Sequence, residues 1–281
     1  MSDFYKLGVI GQNISYSQSK DIFEAIFRLT DVHGSFDVIS IDPDQLTTRF
    51  GELIEAGFTG LSITVPFKGE VLRLLDNVEP MAGKLGAVNC ITIRDGRTSG
   101  SNTDGAGFRK PLDDSVTLLK GRRALIFGYG GSAAVVLYSL ASEFGVRQFT
   151  VVGRDEDKWS EFRDRMTAIL PDTHIVVESN EHFTAGFDDR YGVAVNCTPL
   201  GGWNFPGDSP FPKRFDWSAV DIYYDLNYNA GNRLIAAARS AGVRAIDGSI
   251  MLVGQAIESF RLWSGLSVDF DPVYRAVFGR Q

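Results

Sequence analysis

The sequence has 281 residues, of which 44% are hydrophobic and 22% are charged, and its formal net charge is -7. A chain of this length can bury one large core or two modest ones, which leaves room for two domains. The negative charge offers no general attraction to polyanions, so nucleic acid and anionic membrane surfaces are not expected as partners. Small-molecule chemistry is expected instead.

The two cysteines, Cys90 and Cys197, lie in apolar segments without a CxxC pair or a nearby histidine. Neither a disulfide framework nor a metal site is therefore predicted. The first residues show no targeting pattern, and no apolar run approaches the length of a membrane span. These features together predict a cytoplasmic protein.

The first hundred residues alternate short apolar strands with amphipathic helices, which indicates an α/β layer. The predicted strands are KLGVIG, SFDVISI and GLSITV, and the predicted helices include IFEAIFRL and QLTTRFGELIEAG. The start of the second helix is well marked, with Asp42 as N-cap and Pro43 in its first turn, and Gly57 ends it.

A β-hairpin is predicted over residues 87–101. The segments AVNCITI and RTSGS are joined by Asp95 and Gly96, a dipeptide that favours a tight two-residue turn. We expect this hairpin to form the edge of the first sheet.

A domain boundary is predicted after residue 104, where a short helical piece is broken by Pro111. The next series reads ALIFG, helix, QFTVVG, helix, HIVVES, loop, GVAVNC, loop, DIYYDL, helix, VRAID. Nearly continuous apolar strands separated by helices indicate a parallel sheet covered on both faces. A last long helix is predicted over roughly Ser249 to Trp263. The fold class is therefore α/β with two domains.

A glycine turn opens the second series. Gly128, Gly130 and Ala133 match the pattern GxGxxG/A between an apolar strand and a helix. Such a turn lets the backbone and the helix amides approach a dinucleotide diphosphate, so the pattern predicts a nicotinamide-dependent oxidoreductase. Two alternatives stay open: an ordinary glycine-rich turn, and a methyltransferase that uses the turn for S-adenosylmethionine.

The residues that follow the second strand of this series bear on the choice of cofactor. The strand ends at Gly153 and Arg154 without the carboxylate that holds the ribose of NAD. Arg154 and Lys158 suit a 2′-phosphate, which favours NADP, although Asp155 between them would repel a phosphate if it pointed inward. NAD remains the alternative.

Proton exchange requires a group other than histidine, since His33, His174 and His182 lie outside any motif. Lys68 and Asp104 each follow a predicted strand, and the carboxyl ends of strands in open α/β sheets line the ligand crevice. The alternatives are a surface charge for the lysine and an N-cap for the aspartate.

Eight segments in order make the chain resemble the shikimate dehydrogenase family. They are GQNISYSQS, GLSITVPFK, GAVNCITI, GSNTDGAGF, GYGGSAA, VNCTPLG, YDLNYN and DGSIMLVGQAIESF. The resemblance implies an N-terminal α/β substrate domain (residues 1–104 plus 248–281), a Rossmann NAD(P)-binding domain (residues 105–247) and an active site between them.

The resemblance also implies roles for individual residues, and no metal. Lys68 would be the acid–base residue and Asp104 would orient it. The substrate-binding set would be Ser17, Ser19, Ser62, Thr64, Asn89, Asp104, Tyr228 and Gln255. The cofactor-binding set would be Gly128, Tyr129, Gly130, Gly131, Ser132, Ala133, Arg154, Asp155, Lys158, Asn196, Thr198, Pro199, Leu226 and Gly248.

The activity implied is the reversible NADP-dependent reduction of 3-dehydroshikimate to shikimate, a step of aromatic amino acid biosynthesis, by a monomer or homodimer. The chain departs from the family pattern at Ser62, where an asparagine is usual, and at Asp155, where a threonine is usual. These departures keep open a dehydrogenase for quinate or an aminoshikimate that uses NAD. A ligand-sensing homologue without catalysis is a further alternative.

Overall fold

Two sheets of six strands each are formed by the residues that the computed structural model describes, which are 4–154, 156–181, 183, 190–212 and 215–279. Each sheet belongs to a separate compact unit. The first unit comprises Met1–Gly107 and Ile250–Gln281, and the second comprises Phe108–Ser249.

The first unit begins with alternating strands and helices. Its strands are β1 (Tyr5–Gly11), β2 (Gly34–Ser40), β3 (Gly60–Ile63), β4 (Asn77–Val78), β5 (Cys90–Arg94) and β6 (Arg97–Ser101). Its helices in this part are α1 (Ser19–Thr30), α2 (Leu46–Glu55), α3 (Pro80–Leu85) and α4 (Asp104–Arg109). The strand order is β2-β1-β3-β5-β6-β4, with β1 parallel to both neighbours and β5 antiparallel to β3 and β6.

The predicted hairpin is present, but the prediction that it forms the edge of the sheet is wrong. Asp95 and Gly96 make the turn with positive φ angles of 51° and 71°. Beyond β6, the short β4 pairs with it and becomes the edge strand. The side chain of Asp76 accepts hydrogen bonds from the N–H and the hydroxyl of Thr98, at 2.8 and 3.0 Å, and thereby holds this polar segment against β6.

The second unit carries a fully parallel sheet. Its strands are β7 (Arg123–Phe127), β8 (Gln148–Gly153), β9 (His174–Ser179), β10 (Tyr191–Asn196), β11 (Val220–Asp225) and β12 (Arg244–Ile246). Its helices are α5 (Val116–Leu119), α6 (Gly131–Ser142), α7 (Glu156–Ile169) and α8 (Arg233–Ser240). Read from β9, the order is β9-β8-β7-β10-β11-β12, which is the 3-2-1-4-5-6 order of doubly wound dinucleotide-binding sheets.

The chain then returns to the first unit with two helices, α9 (Ser249–Ser264) and α10 (Phe270–Phe278). They pack with α1 on one face of the first sheet, where Val9 meets Phe260 and Trp263 in a buried cluster. Ile10, the next residue of β1, points into the opposite cluster with Leu46 and other side chains of α2. Alternation along the strand thus buries both faces of the sheet.

The N-cap predicted at Asp42 is confirmed, since Asp42 and Gln45 form a reciprocal capping box around a short 3₁₀ turn that leads into α2. Along the described part of the chain, the helices are all too short or too polar to cross a membrane. The same residues contain no cluster of three or more side chains of the types that ligate metals.

Candidate active site

The carboxyl ends of β1 and β3 lie side by side, because Ile10 and Ile63 pair in parallel register. Residues expected to bind substrate follow both strands. Ser17 and Ser19 come after β1, and Thr64 comes directly after β3, with its N–H donating to the Ile10 carbonyl at 2.9 Å. The carboxyl ends of β1 and β3 are therefore followed by hydroxyl groups from two separate segments.

Ser17 and Ser19 form a hydroxyl pair at the start of α1. Their Oγ atoms are 3.1 Å apart, and the N–H of Ser19 donates to Ser17 Oγ at 3.3 Å. Ser19 is buried as the first residue of α1, whose N-terminus has no side-chain cap. Hydroxyl and amide donors at the positive end of a helix suit a carboxylate ligand.

Lys68 and Asp104 form a largely buried ion pair, with Lys68 Nζ 2.5 Å from Asp104 Oδ2. Only 13% of the lysine side chain and 5% of the aspartate side chain are exposed. The backbone around Lys68 is fixed, because its carbonyl accepts the N–H of Val88 at 2.9 Å and the adjacent Phe67 is fully buried. A charged pair with little solvent can pass a proton to a bound group without competition from water.

Asn89 holds the second oxygen of Asp104. The N–H of Thr103 donates to Asn89 Oδ1 at 2.7 Å, and this fixes the amide orientation, since a backbone N–H can only donate. Asn89 Nδ2 is thereby directed at Asp104 Oδ1, 2.7 Å away, and lies 3.4 Å from Gln255 Oε1. The structure thus brings together four of the predicted site residues: Lys68, Asn89, Asp104 and Gln255.

A close helix crossing sets where Asp104 and Gln255 lie. A Cβ on Gly107 of α4 would be 2.4 Å from the Met251 carbonyl oxygen, and one on Gly254 of α9 would be 2.9 Å from the Gly107 Cα. Gly107 and Gly254 therefore allow the backbones of α4 and α9 to approach closely, about one helical turn after Asp104.

A buried hydroxyl pair ties the same two segments together. Thr103 Oγ1 and Ser259 Oγ are 3.0 Å apart, and Ser259 Oγ donates to the Gln255 carbonyl at 2.8 Å. The sequence analysis missed Thr103 and Ser259. The available signal was their position next to Asp104 and one helical turn after Gln255.

Ser62 is a buried polar residue of β3 with 6% exposure. Among the described residues its Oγ has no hydrogen-bond partner. An unsatisfied buried hydroxyl costs about 1–3 kcal/mol, so this position is unusual for a purely structural serine.

The glycine turn of the second unit has the backbone geometry that its sequence predicts. Gly128 follows β7 with φ of 101°, a conformation that disfavours other residues. Gly130 is the N-cap residue of α6, and the space where its Cβ would stand has no atom within 4 Å. The turn therefore leaves open room before the α6 amides, including those of Gly131, Ser132 and Ala133, and these residues fit a dinucleotide diphosphate.

Large and charged side chains lie near the glycine turn, where the sequence predicts the adenosine end of the cofactor. The ring of Tyr129 lies on Gly153, since a Cβ there would be 2.3 Å from two ring atoms. Arg154 and Lys158 are exposed after β8 and on α7. Asp155 and His182 lie outside the described residues.

The remaining residues that the sequence predicts to bind the cofactor lie at the carboxyl ends of β10, β11 and β12. Asn196 ends β10, and its Oδ1 accepts the N–H and the hydroxyl of Thr198 at 3.0 and 2.7 Å. The Leu226 N–H donates to the Asn196 carbonyl at 3.1 Å, and the Gly248 N–H donates to the Asn227 carbonyl at 2.9 Å. Pro199 and Tyr228 lie in the two loops that these bonds connect.

Asp225, which the sequence analysis did not single out, is fully buried at the end of β11. Burial raises the pKa of its carboxyl, and hydrogen bonds from Tyr223, Asn227 and Asn232 oppose that shift. The pKa of the Tyr223 phenol is raised well above its ordinary value, mainly by burial and then by the Asp225 charge. The motif YDLNYN contained this residue, but an aspartate at the end of an apolar strand does not reveal its partners.

The fold and comparisons with known proteins identify the class to which this chain belongs. The strand order and glycine turn of the second unit define a dinucleotide-binding α/β protein. Residues 9–91 match the model of the shikimate dehydrogenase substrate binding domain, and residues 251–278 match that of the shikimate 5′-dehydrogenase C-terminal domain.

Individual relatives cover nearly the whole chain. A shikimate dehydrogenase (NADP(+)) of Salinibacter ruber is 34% identical over 96% of this chain and 95% of its own length. The shikimate 5-dehydrogenase of Thermus thermophilus, solved with NADP(H) and shikimate, is 27% identical with a TM-score of 0.81, covering 97% of this chain and 98% of its own. The quinate dehydrogenase of Corynebacterium glutamicum, solved with NAD, is 28% identical with a TM-score of 0.82, covering 99% and 100%. The chain belongs to the shikimate dehydrogenase family of oxidoreductases.

Proposed function

We propose that this protein catalyses the reversible, NADP-linked interconversion of 3-dehydroshikimate and shikimate, with Lys68 as the acid–base residue. The observation that carries the proposal is the buried pair of Lys68 and Asp104, whose charged atoms are 2.5 Å apart. The name and coverage of the Salinibacter ruber relative support the substrate and the cofactor.

Lys68 and Asp104 have different roles in the reaction: Lys68 transfers the proton and Asp104 orients Lys68. NADP(H), when bound, supplies or accepts the hydride at the ring carbon that carries the reacting oxygen. The Lys68 ammonium donates a proton to that oxygen during reduction and takes it back during oxidation. Asp104 orients the ammonium, and Asn89 keeps the carboxylate in place through the bond to Oδ1.

The other polar groups of the first unit bind and orient the ring. Ser17 and Ser19 are the carboxylate donors, since both hydroxyls lie at the N-terminal end of α1. Hydrogen bonds to the ring hydroxyls come from Thr64, Asn89 and Gln255. A polyhydroxylated acid needs this density of donors and acceptors to be bound in a single orientation.

The second unit binds the cofactor. Gly128, Gly130 and the first turn of α6 hold the diphosphate, because the backbone there leaves room for it. Arg154 and Lys158 are the cations for the 2′-phosphate of NADP. The loops around Thr198 and Leu226 take the nicotinamide end.

Steady-state kinetics of the purified protein with shikimate and with quinate, each paired with NADP and with NAD, test the proposal. We expect the highest kcat/KM with shikimate and NADP, read as absorbance of the reduced cofactor. Saturable binding of shikimate without turnover in any pair would contradict the proposal and favour a ligand sensor. Binding of S-adenosylmethionine by calorimetry, with no binding of NADP, would favour the methyltransferase alternative.

A dehydrogenase for quinate or a related acid that uses NAD is the second candidate. Two observations favour it: the buried hydroxyl of Ser62, which has no partner among the described residues, and the similarity to the quinate dehydrogenase of Corynebacterium glutamicum. Serine is shorter than asparagine, so a larger ring substituent could reach this hydroxyl and satisfy it. In the same four measurements, this candidate predicts that quinate with NAD is the best pair.

A further inference from the structure

The carboxylate of Asp225 is surrounded by neutral hydrogen-bond donors. Its Oδ1 accepts from Asn196 Nδ2 at 3.1 Å, from the Asn227 N–H at 3.0 Å and from Asn227 Nδ2 at 2.8 Å. Its Oδ2 accepts from the Tyr223 hydroxyl at 2.6 Å and from Asn232 Nδ2 at 3.0 Å. Among the described residues no ion pair reaches this carboxylate, which is fully buried. We call these five groups the Asp225 cage.

The cage joins segments that are distant in sequence. Asn196 ends β10, Asn227 lies in the loop after β11, and Asn232 is the N-cap of α8, where its Oδ1 accepts the N–H groups of Leu234 and Ile235. One buried charge therefore fixes the carboxyl ends of two adjacent central strands and the start of a helix.

The two asparagine side chains that donate to Asp225 Oδ1 also form hydrogen bonds with the loop after β10. Asn196 Nδ2 also donates to the Leu200 carbonyl at 2.9 Å, and its Oδ1 accepts both donors of Thr198. Asn227 Nδ2 also donates to the carbonyls of Thr198 and Leu200, at 3.0 and 3.3 Å. The conformation of residues 197–200 thus depends on two asparagines that Asp225 orients.

This loop lies where a dinucleotide is bound in folds of this type. The strand order reverses between β7 and β10, and ligands bind outside the carboxyl ends of the strands at such a switch point. Every donor that the structure shows on this carboxylate is an uncharged group, so we expect Asp225 to act through the groups that it holds.

We infer that Asp225 is a positioning residue for the nicotinamide half of the cofactor, acting through Asn196 and Asn227 on the loop of residues 197–200. The inference rests on the proposed function, because it assumes that NADP occupies the second unit. The two sides of the Asp225 cage differ. The donors to Oδ1 hold the conformation of residues 197–200, whereas the donors to Oδ2 anchor Tyr223 and the start of α8.

Direct titration of NADP into the purified full-length protein by calorimetry tests the inference, beside KM for NADP and for shikimate. Asp225→Asn places a donor where donors already converge, and we expect the Kd and KM for NADP to rise at least about tenfold while KM for shikimate changes less than about twofold. Asp221→Asn is the matched control, because Asp221 lies on the same strand and pairs with Arg122 at 2.6 Å. It should leave NADP binding unchanged.

A second pair of variants keeps the test decisive if Asp225→Asn does not fold. Asn227→Ala removes a side-chain donor on the Oδ1 side, together with its bonds to the carbonyls of Thr198 and Leu200, and should also weaken NADP binding about tenfold. Tyr223→Phe removes one donor on the Oδ2 side and should weaken it less than about threefold. Equal NADP affinity in wild type, Asp225→Asn and Asn227→Ala would overturn the inference. Absence of NADP binding by the wild type would instead overturn the proposed function.

Discussion

Each unit of the molecule buries an aspartate at or shortly after the end of a strand, but the two carboxylates are stabilised in different ways. Asp104 in the first unit is paired with the ammonium of Lys68 at 2.5 Å. Asp225 in the second unit is surrounded by groups of three asparagines and a tyrosine, all without charge. The first arrangement contains a charged donor, and the second contains only uncharged donors.

The difference teaches how burial can be used for two purposes. An ion pair with limited solvent orients an ammonium so that it can exchange a proton with a bound ligand. A cage of neutral donors uses a buried carboxylate to fix loops, because donors from separate segments of the chain converge on one group. Variants that alter one aspartate at a time can separate these purposes.

Asp104→Asn should have the largest effect. It keeps the shape of the side chain but removes the charge that orients Lys68, so we expect kcat for shikimate oxidation to fall about 10²–10⁴-fold. The Kd for NADP, measured by calorimetry, should stay within about twofold of wild type, since Asp104 belongs to the first unit. If Asp104→Asn lost NADP binding and retained its kcat, Asp104 would act in cofactor binding and not in the proton chemistry.

Gly254→Ala tests whether the helix crossing positions the same pair. The new Cβ would be 2.9 Å from the Gly107 Cα, so α4 and α9 must separate slightly, and we expect kcat to fall about tenfold with KM for NADP unchanged. Gly51→Ala is the control in the same unit, because its Cβ would meet nothing within 4 Å on α2. Equal kcat in the two variants would show that the crossing does not set the geometry of Asp104.

Tyr223→Phe tests the cage through alkaline stability. Burial raises the pKa of Tyr223 well above 10, so above pH 10 the unfolded chain ionises this phenol while the folded chain does not. The unfolded state then binds fewer protons, and the free energy of unfolding of the wild type falls as pH rises, by up to about 1.4 kcal/mol per pH unit for this group.

In urea unfolding between about pH 8 and 11, a range that brackets the ordinary tyrosine pKa, Tyr223→Phe should therefore start less stable, having lost its bond to Asp225. It should also lose stability less steeply at the alkaline end. Parallel curves for the two proteins would mean that Tyr223 does not hold its proton through the cage.

The smallest expected effect concerns the two thiols. Cys90 is 1% exposed in the first unit, and burial raises its pKa to about 12, so it should not react with a disulfide reagent in the native protein. Cys197 is only half-buried and lies between Asn196 and Thr198. We expect one thiol per chain to react slowly, with NADP slowing it further and Cys197→Ser abolishing it. Reaction of two thiols before unfolding would contradict the buried position of Cys90.

Much of the fold could be predicted from hydrophobic periodicity and turn residues. The alternating segments, the Asp95 and Gly96 turn and the glycine turn at Gly128 are local signals, and the structure confirms them. The strand β4 was missed because its two residues carry no apolar pattern and depend on the contact between Asp76 and Thr98.

The candidate site was harder to predict than the fold. Strand-end placement predicts that Lys68 and Asp104 lie near each other. Their 2.5 Å separation depends on tertiary packing and could not be predicted from the sequence. Ser259 and Asp225 went unnoticed because their importance lies in partners up to 156 residues away, as for Ser259 with Thr103. Side chains that act by holding other side chains leave no local signal.

The most direct test of the central claim is the rate at which shikimate reduces NADP with wild type, Lys68→Ala and Lys84→Ala, followed by the absorbance of the reduced cofactor. Lys84 is an exposed lysine of the first unit, so its variant controls for the loss of a charge. We expect wild type and Lys84→Ala to turn over alike, while Lys68→Ala loses about 10²–10⁴-fold in kcat and still binds NADP. Turnover by Lys68→Ala at the wild-type rate would contradict it.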